Sequence, residues 1–318
     1  MACGRDGNKP VAFTCPAPHR ATLTFELRLH PDERGKGVID KSHKGPCAVY
    51  LKKVDDMQAD NAASGPGWFK IWEDGYNNRT RKWCVDTLIE KNGLLSVKLP
   101  TGLPRGKYLA RPEILALHNA AIGDAQFYTG CAQIYVEQGP DVALIVPEGK
   151  SVSIPGHVSA SDAGLKYNLY RKNQAEYKIP GPGVFIPTGQ VSGKPSASKV
   201  EGAVPEDCMV KNANWCAKPV PSISDEESCW ASVKDCWAQG EKCWAGAPPS
   251  GNSGCKTWER YCEQIQRSCH SGARSGPPEM AEKPATVKLL VEIPQPWNDV
   301  FDLVQEGGIR RREPWRAV

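Results

Sequence analysis

Six cysteines toward the carboxyl end of the chain recur at intervals of seven residues, and they constrain its fold more than any other feature. They form two trios, which are Cys229, Cys236 and Cys243, then Cys255, Cys262 and Cys269. Seven residues bring an α-helix back to nearly the same face, so each trio predicts one edge of a helix. Val233 on the first helix and Trp258 and Ile265 on the second would complete an apolar seam between them.

If the two predicted helices run antiparallel, one register brings all six cysteines together. The turn would lie within residues 248–254, and the pairs would be Cys243 with Cys255, Cys236 with Cys262, and Cys229 with Cys269. The segment Ser-Asp-Glu-Glu at 224–227 predicts a capping box before the first helix. We therefore predict a disulfide-rich α-helical hairpin over residues 208–276, held by covalent links because it is too small to bury a large core.

Two further features belong to this segment. Cys208 and Cys216 are candidates for a fourth, local bridge, and zinc binding is the alternative use of the cysteines, although the close Cys-x2-Cys or His-x3-His spacings of zinc sites are absent. Trp230, Trp237 and Trp244 follow the first three cysteines at the same interval. This tryptophan row is typical of packing, but exposed tryptophans also stack on sugar rings or on an adjacent domain.

Composition indicates where the protein works and which partners it lacks. Thirteen cysteines among 318 residues favour an oxidising compartment, and hence a secreted, extracellular protein. Forty Lys and Arg against 36 Asp and Glu give a net charge of +4, which is not the electrostatic pattern of a nucleic-acid-binding protein. Apolar runs such as residues 142–146 are too short to span a bilayer or to form a signal peptide. We expect no nucleic-acid or membrane partner, and a monomer.

The first part of the chain, residues 1–175, is predicted to be a β-sandwich because short alternating stretches are separated by Gly- and Pro-rich turns. The candidate strands are residues 21–27, 47–54, 94–99, 108–117, 126–137, 152–154 and 165–170, with a helical turn at 87–92. Residues 176–207 are rich in Pro, Gly, Ser and Lys without periodicity, which predicts a linker. Residues 277–318 are a tail to which we assign no role.

A candidate site comes from residues that the predicted strands could bring together. His43 lies in a loop just before the strand at 47–54, and His118 lies eight residues before Gln126. Two-residue alternation places Gln126 and Tyr128 on one face of their strand. Two imidazoles, an amide and a phenol are a weak pattern by themselves, because such residues also occupy ordinary surface or core positions.

The segments around these residues carry a resemblance. They are residues 41–50 (KSHKGPCAVY), 67–75 (GWFKIWEDG), 109–118 (LARPEILALH) and 125–131 (AQFYTGC). In this order they are similar to fungal lytic polysaccharide monooxygenases of auxiliary-activity family nine, the copper enzymes that oxidatively cleave cellulose. The resemblance covers residues 1 to about 170. It implies an all-β fold, an immunoglobulin-like or fibronectin-like β-sandwich, and an oxidoreductase that uses O2 or H2O2.

The resemblance also implies roles for individual residues. The family binds one copper ion in a histidine brace, in which His43 matches the internal histidine and Tyr128 the axial tyrosine; nitrogen ligands in a plane suit Cu(II). His118 and Gln126 match the pair that hydrogen-bonds near the metal and takes part in catalysis. Tyr170 matches an aromatic residue on the flat substrate-facing surface. His157 lies in a loop where relatives carry a substrate-contacting residue, with plain surface exposure as the alternative.

Cysteine pairing and the start of the chain complete the comparison with the family. Cys3 and Cys131 match a family disulfide, which leaves Cys15, Cys47 and Cys84, so that one of these three has no partner; a pairing of Cys47 with Cys84 is favoured. In the family the first brace histidine is residue one of the secreted chain, ahead of the match to Cys3. We expect an upstream segment with a signal peptide and this histidine; a truncated chain without copper chemistry is the alternative.

The predicted function is therefore copper-dependent oxidative cleavage of cellulose or a related β-glucan, with electrons from an external donor, either a small reductant or a redox enzyme. The alternatives are a non-catalytic secreted carbohydrate-binding protein, which keeps the sandwich and its aromatic surface, and a structural or adhesive sandwich. Copper binding separates the first from the other two, and cellulose binding separates the second from the third.

Overall fold

Extended strands dominate the first half of the chain and two helices the second. The computed structural model describes residues 2–171, 176–189, 202–247 and 251–281. In chain order the elements are β1 (Cys15–Ala17), β2 (Thr22–Glu26), β3 (Cys47–Val54), β4 (Gly65–Asp74), β5 (Tyr76–Asn77), β6 (Lys82–Trp83), α1 (Cys84–Glu90), β7 (Leu94–Lys98), β8 (Gly106–Asn119), β9 (Asp124–Thr129), β10 (Ala132–Val136), β11 (Ser151–Ile154), β12 (Val210–Asn212), β13 (Trp215–Ala217), α2 (Glu226–Ala245) and α3 (Ser253–His270).

One large sheet carries the first part, and its central strand is β8. The strand order is β1-β10-β8-β3-β4-β11, with β9 as a further neighbour of β8. All pairs are antiparallel except β1 with β10. On one side of β8 lies β3; on the other, β10 pairs with its first half and β9 with its second. The strand that was predicted over 126–137 is therefore two strands, which meet at the disulfide between Cys3 and Cys131.

Both faces of this sheet are covered. On one face, side chains of β3 and β4 such as Val49, Leu51 and Phe69 pack against Leu95 and Val97 of the small β2–β7 sheet. On the other face, Ala48, Tyr50 and Trp68 of the same strands pack against the amino-terminal segment and β11. The residues they meet there are Ala2 and Ile154. Successive residues point to opposite faces of a strand, so burial on both sides makes β3 almost continuously apolar.

Three elements differ from the expectations. β4 was not predicted as a strand because two glycines and a proline lie at its start and a charged residue, Lys70, interrupts its apolar run. In the structure Lys70 is fully buried, and its ammonium group donates a hydrogen bond to Glu73 at 2.7 Å. Residues 165–170 are not a strand but a loop after a short 3-10 helix at Ala163–Leu165. α1 starts at Cys84, earlier than expected, because the Asp86 side chain accepts a hydrogen bond from the Trp83 backbone and caps it.

Part of the predicted linker contacts the sheet. The backbone N–H of Phe185 donates to the carbonyl of Lys70 at 2.8 Å, and the rings of Phe185 and Phe69 lie 5.8 Å apart. Tyr177 contacts Trp83, with ring centroids 4.9 Å apart. Residues 176–189 therefore cover the end of β4, whereas residues 190–201 of the linker and residues 282–318 of the tail lie outside the described residues.

The carboxyl-terminal part contains two long helices joined by three disulfides. The pairs are Cys229 with Cys269, Cys236 with Cys262, and Cys243 with Cys255, as the seven-residue spacing predicts. Val233, Trp258 and Ile265 are buried between the helices. Cys208 and Cys216 form the local bridge beside β12 and β13. The helix cap lies one residue later than predicted.

The amino-terminal cap of α2 has the predicted type of hydrogen bonding, shifted by one residue. Asp225 accepts a hydrogen bond from the backbone N–H of Ser228 at 2.8 Å, and the Ser228 hydroxyl accepts one from the Asp225 N–H at 3.0 Å. The reciprocal bonds are those of a capping box, with aspartate and serine in place of the predicted serine and glutamate. None of the helices within the described residues is both long and apolar enough to cross a membrane.

We predict that the outermost covalent link stabilises the helix pair. Replacing both Cys229 and Cys269 by serine should lower the free energy of unfolding of the helices by about 2–4 kcal/mol, because the unfolded segment gains freedom. Urea unfolding followed by far-ultraviolet circular dichroism measures this. Cys15→Ser is the matched control, since Cys15 is exposed and unpaired. An unchanged helical transition in the double variant would contradict the prediction.

Candidate metal centre

The loop that carries His43 is fixed against the end of β8. The backbone N–H groups of Leu115 and Leu117 donate to the carbonyls of Pro46 (3.0 Å) and Lys44 (2.9 Å), which continue the β3–β8 pairing beyond β3. Gly45 makes this approach feasible, since a Cβ there would lie 1.9 Å from the carbonyl oxygen of Leu115. The loop follows β8 closely, so β8 sets the position of His43.

A tight turn orients the His43 ring. The Asp40 carboxylate accepts a hydrogen bond from the Ser42 backbone N–H at 2.8 Å, and the Asp40 carbonyl accepts one from the N–H of His43 at 3.0 Å. The hydrogen bonds from Ser42 hold the pKa of the Asp40 carboxyl below its usual value. The Ser42 hydroxyl lies 3.2 Å from Nδ1 of His43. With Nδ1 held inside the loop, Nε2 is the ring nitrogen left for an outside ligand.

His118, near the end of β8, lies directly beside His43. Their ring centroids are 4.1 Å apart, and the ring of Tyr128 lies edge-on to His43 at 5.6 Å. Nδ1 of His118 is buried and has no hydrogen-bond partner. A buried nitrogen without a partner is costly, so this atom marks a place where a further group would be stabilised.

β9 supplies the other two predicted residues on one face. Gln126 lies opposite Ala116 and Tyr128 opposite Ile114 in the β8–β9 pairing. The Tyr128 hydroxyl donates to Oε1 of Gln126 at 2.9 Å, and Nε2 of Gln126 donates to the Asp124 carboxylate at 2.9 Å. The chain of bonds orients the Gln126 amide and the Tyr128 phenol. The structure therefore brings His43, His118, Gln126 and Tyr128 together.

The electrostatics favour neutral rings at this site. Burial and the neighbouring charge of His118 lower the pKa of His43, against the opposing effect of Asp40. Burial and the Asp124 carboxylate raise the pKa of Tyr128. Hydrogen bonds from Gln126 and Asn119 lower the pKa of Asp124. Near neutral pH the His43 imidazole is thus available as a ligand, and the Tyr128 phenol keeps its proton.

His157 does not reach the surface, which corrects the expectation of a sugar contact or of plain exposure. Its side chain is 7% exposed, and its Nε2 lies 3.1 Å from the buried carboxylate of Glu113, which also pairs with Arg111. Burial by itself would raise the pKa of Glu113, but the hydrogen bond from His157 and the charge of Arg111 hold it below its usual value. The Arg111 side chain also donates to the carbonyl of Ala2 at 2.6 Å. These charges fix the amino-terminal segment to β8.

Tyr170 is exposed, at 73%, and borders a groove beside the His43 loop. The groove has a volume of about 580 Å³, and its walls include Ser42, Lys44, Tyr76, Arg81, Trp83 and Tyr170. Its inner wall is a cluster of aromatic rings, in which Trp83 contacts Tyr76, Tyr167 and Tyr177 at centroid distances of 5.1, 6.0 and 4.9 Å. Ser42 and Lys44 flank His43 in the sequence, so Tyr170 and the candidate site border a common region of surface.

Comparison with known proteins decides the family. The model of Auxiliary Activity family 9 (formerly GH61) matches residues 1–177. AA9 family lytic polysaccharide monooxygenase C from Aspergillus tamarii is 46% identical over an alignment that covers 100% of this chain and 85% of the relative. The chain belongs to Auxiliary Activity family 9. The resemblance found in the four sequence segments is thereby confirmed.

Two further comparisons are consistent with the AA9 assignment. AA9 family lytic polysaccharide monooxygenase H from Botryotinia fuckeliana is 42% identical, over 92% of this chain and 68% of the relative. The solved structure named CvAA9A is 34% identical and has a TM-score of 0.52, covering 58% of this chain and 81% of that one. Because the alignment with the A. tamarii relative spans the whole chain, the similarity includes the helix pair as well as the sheets.

Some residues around the candidate site were missed from the sequence. Asp124 was not singled out, although two-residue alternation places it on the same face as Gln126 and Tyr128. The aromatic wall around Trp83 had no sequence signal, since Tyr76, Trp83, Tyr167 and Tyr177 come together only by folding. Among the described residues, no cluster of three or more His, Cys, Asp or Glu side chains is arranged to hold a metal ion.

We predict that His118 depresses the pKa of His43 in the metal-free protein. His118→Ala should raise the pKa of His43, because it removes a neighbouring positive charge and part of the burial. An NMR titration of the histidine ring protons measures the change. Exposed His30→Ala is the control and should leave the His43 titration unaltered. A His43 pKa that stays the same or falls in His118→Ala would contradict this account.

We also predict that Gly45 is required for the position of the His43 loop. Gly45→Ala should destabilise the fold by about 1–3 kcal/mol, because the added methyl group meets the Leu115 carbonyl and pushes the loop away from β8. Gly35→Ala is the matched control, since a Cβ at Gly35 has no neighbour within 4 Å. Thermal unfolding of both variants provides the measurement, and equal midpoints would show that the loop tolerates the methyl group.

Proposed function

We propose that this AA9 protein is a copper-dependent oxidoreductase that cleaves cellulose or a related β-glucan. The observation that carries the proposal is the close approach of His43, His118 and Tyr128 at the end of β8, in a chain that belongs to this family. The same residues were chosen from sequence, and their geometry supports one shared centre. An external electron donor, either a small reductant or a redox enzyme, would complete the reaction.

The donor set suits copper. A neutral imidazole is a good ligand for copper, and a phenol oxygen would be a weaker one. His43 keeps Nε2 as its second ring nitrogen while Nδ1 lies 3.2 Å from the Ser42 hydroxyl, and the Tyr128 ring lies edge-on to the His43 ring. The buried, unpartnered Nδ1 of His118 adds a polar atom at the same place. We propose that His43 and Tyr128 hold one copper ion.

Copper, when bound, supplies the one-electron chemistry by which the donor and O2 or H2O2 oxidise a sugar carbon at the glycosidic bond. The chain's own residues prepare the site for this. Tyr128 occupies one side of the centre, and its hydroxyl is held by Gln126, which is in turn held by Asp124. Gln126 and His118 are therefore positioned to hydrogen-bond an oxygen species or a water molecule, which makes them the proposed catalytic residues.

The exposed surface around the site suits a long polysaccharide chain. Tyr170 is 73% exposed, so its aromatic ring is available for stacking on sugars. Tyr170 borders the groove whose wall includes Ser42 and Lys44, the neighbours of His43. A glucan that stacks on Tyr170 would thus extend toward the centre. We propose Tyr170 as a substrate contact.

The same proposal covers the organisation of the chain. We propose an immunoglobulin-like β-sandwich for residues 1–175, continued by the packed residues 176–189, and an α-helical hairpin module within 208–276. Six disulfides among the described residues suit an extracellular protein. We propose that it is secreted and acts as a monomer.

The test compares two variants of the protein on cellulose with ascorbate and O2. His43→Ala should abolish copper binding measured by calorimetry, together with the release of oxidised oligosaccharides, because it removes a ligand. Tyr170→Ala should retain copper binding and reduce oxidised product about tenfold or less, as expected for the loss of one stacking contact. Product analysis by mass spectrometry reports both effects.

The outcomes separate the proposal from its alternative. Cellulose binding without copper affinity in the unaltered protein would overturn the enzyme and favour a non-catalytic carbohydrate-binding protein. Oxidised products that persist in His43→Ala would instead place the copper site elsewhere. Omission of the reductant is the control for both, since the cleavage requires external electrons.

A further inference from the structure

The tryptophan row on α2 is exposed and is not used by the site at His43. Trp230 is 37% and Trp244 is 40% exposed, and Trp237 between them is half-buried. Indole rings are large apolar groups, and a series of them at the surface of a soluble protein indicates a binding surface rather than packing. The buried core of the helix pair is formed by Cys236, Trp258 and other residues of the facing edges; Trp237 packs partly against it, so Trp230 and Trp244 are the exposed rings of the row.

Residues of α3 hold two of these rings in place. The Trp230 ring lies edge-on to His270, with centroids 4.9 Å apart and planes at 79°. Nε1 of Trp237 donates to Oε1 of Gln266 at 3.2 Å. The rings are therefore supported from one side and open on the other, so little side-chain freedom would be lost when a ligand binds. His270 and Gln266 also place polar groups beside the rings.

The spacing along the helix is regular. Seven residues at 1.5 Å each separate successive tryptophans by about 10.5 Å, with a rotation of only about 20° per step. This separation is close to the length of one disaccharide unit in an extended β-1,4-glucan, in which every second ring presents the same face. The three disulfides between α2 and α3 keep the helices, and thus the row, in a fixed register.

The chemistry of the row matches this ligand. The C–H face of a pyranose ring stacks on an indole, and its hydroxyl groups at the ring edge hydrogen-bond to nearby polar side chains. Three aromatic platforms flanked by Gln266 and His270 present both kinds of contact along one line. The interval matches one disaccharide unit, which commits the proposal to a β-1,4-glucan; a helix packed against α2 would also match a seven-residue interval, and it is an outcome of the test.

We propose that Trp230, Trp237 and Trp244 form a second binding site, which takes a β-1,4-linked glucan chain and anchors the protein on its substrate. The proposal rests on the proposed function for the class of polysaccharide. The site is independent of His43, because all three rings are on α2. Its role is retention: a protein held through α2 stays at the polysaccharide surface between turnovers of the oxidative site.

The test is a binding isotherm of the full chain on microcrystalline cellulose without reductant, so that no cleavage occurs. The variant with Trp230→Ala and Trp244→Ala should bind about tenfold or more weakly, because two exposed stacking contacts are removed. The variant with Trp230→Phe and Trp244→Phe keeps an aromatic ring at each position and should retain most of the affinity. Lys242→Ala on the opposite side of α2 is the surface control.

Each outcome of the binding experiment either supports or overturns the proposed second site. Unchanged binding by the double alanine variant, with its helices intact by circular dichroism, would overturn the proposal. Weaker binding accompanied by a changed sedimentation coefficient would also overturn it, since the row would then bind a second copy or residues of the tail. The control His43→Ala addresses the proposed function in a separate assay with ascorbate and O2. There, loss of oxidised products together with unchanged cellulose binding supports the independent site, whereas absence of products from every form, with the tryptophan effect intact, overturns only the oxidative function.

Discussion

The hydrogen-bonding edges of β8 are the constraint on which the first part of the molecule depends. This strand of 14 residues pairs with β3 on one side and with β10 and β9 in succession on the other. Beyond the end of β3 the same edge binds the loop that carries His43, and the strand itself carries His118. Three members of the candidate centre thus take their positions from one backbone: His43, His118 and, through β9, Tyr128.

Buried charge strengthens this arrangement in the middle of the strand. Arg111 and Glu113 of β8 are buried with His157, and Arg111 donates to the carbonyl of Ala2. Leaving any one of these charges without its partners inside the protein would be costly, so the cluster is formed as a unit. Together with the disulfide between Cys3 and Cys131, it holds the amino-terminal segment beside the break between β9 and β10. The chain therefore reaches the sheet in one defined position.

The helix pair is stabilised in a different way from the sheets. Its small apolar core around Trp258 and Ile265 is supplemented by three disulfides between α2 and α3 and by the local bridge of Cys208 with Cys216, whereas the first part of the chain relies on a large core and two disulfides. The seven-residue spacing of the cysteines could be recognised from sequence, because helix geometry alone places residues seven apart on the same edge of a helix. β4 could not be recognised, since its Lys70 is neutralised by Glu73 inside the fold and thus breaks the apolar pattern that identifies a buried strand.

The sequence by itself determined the cysteine pairs of α2 and α3, the family, and the four residues of the candidate centre, because each depends on local periodicity or on a distinctive segment. Only the tertiary structure decided that His157 is buried against Glu113 and that aromatic residues far apart in sequence form the groove around Trp83. These features depend on which side chains meet across separate elements. Local periodicity carries no information about such meetings, which are set by strand pairing and by the packing of loops on the sheet.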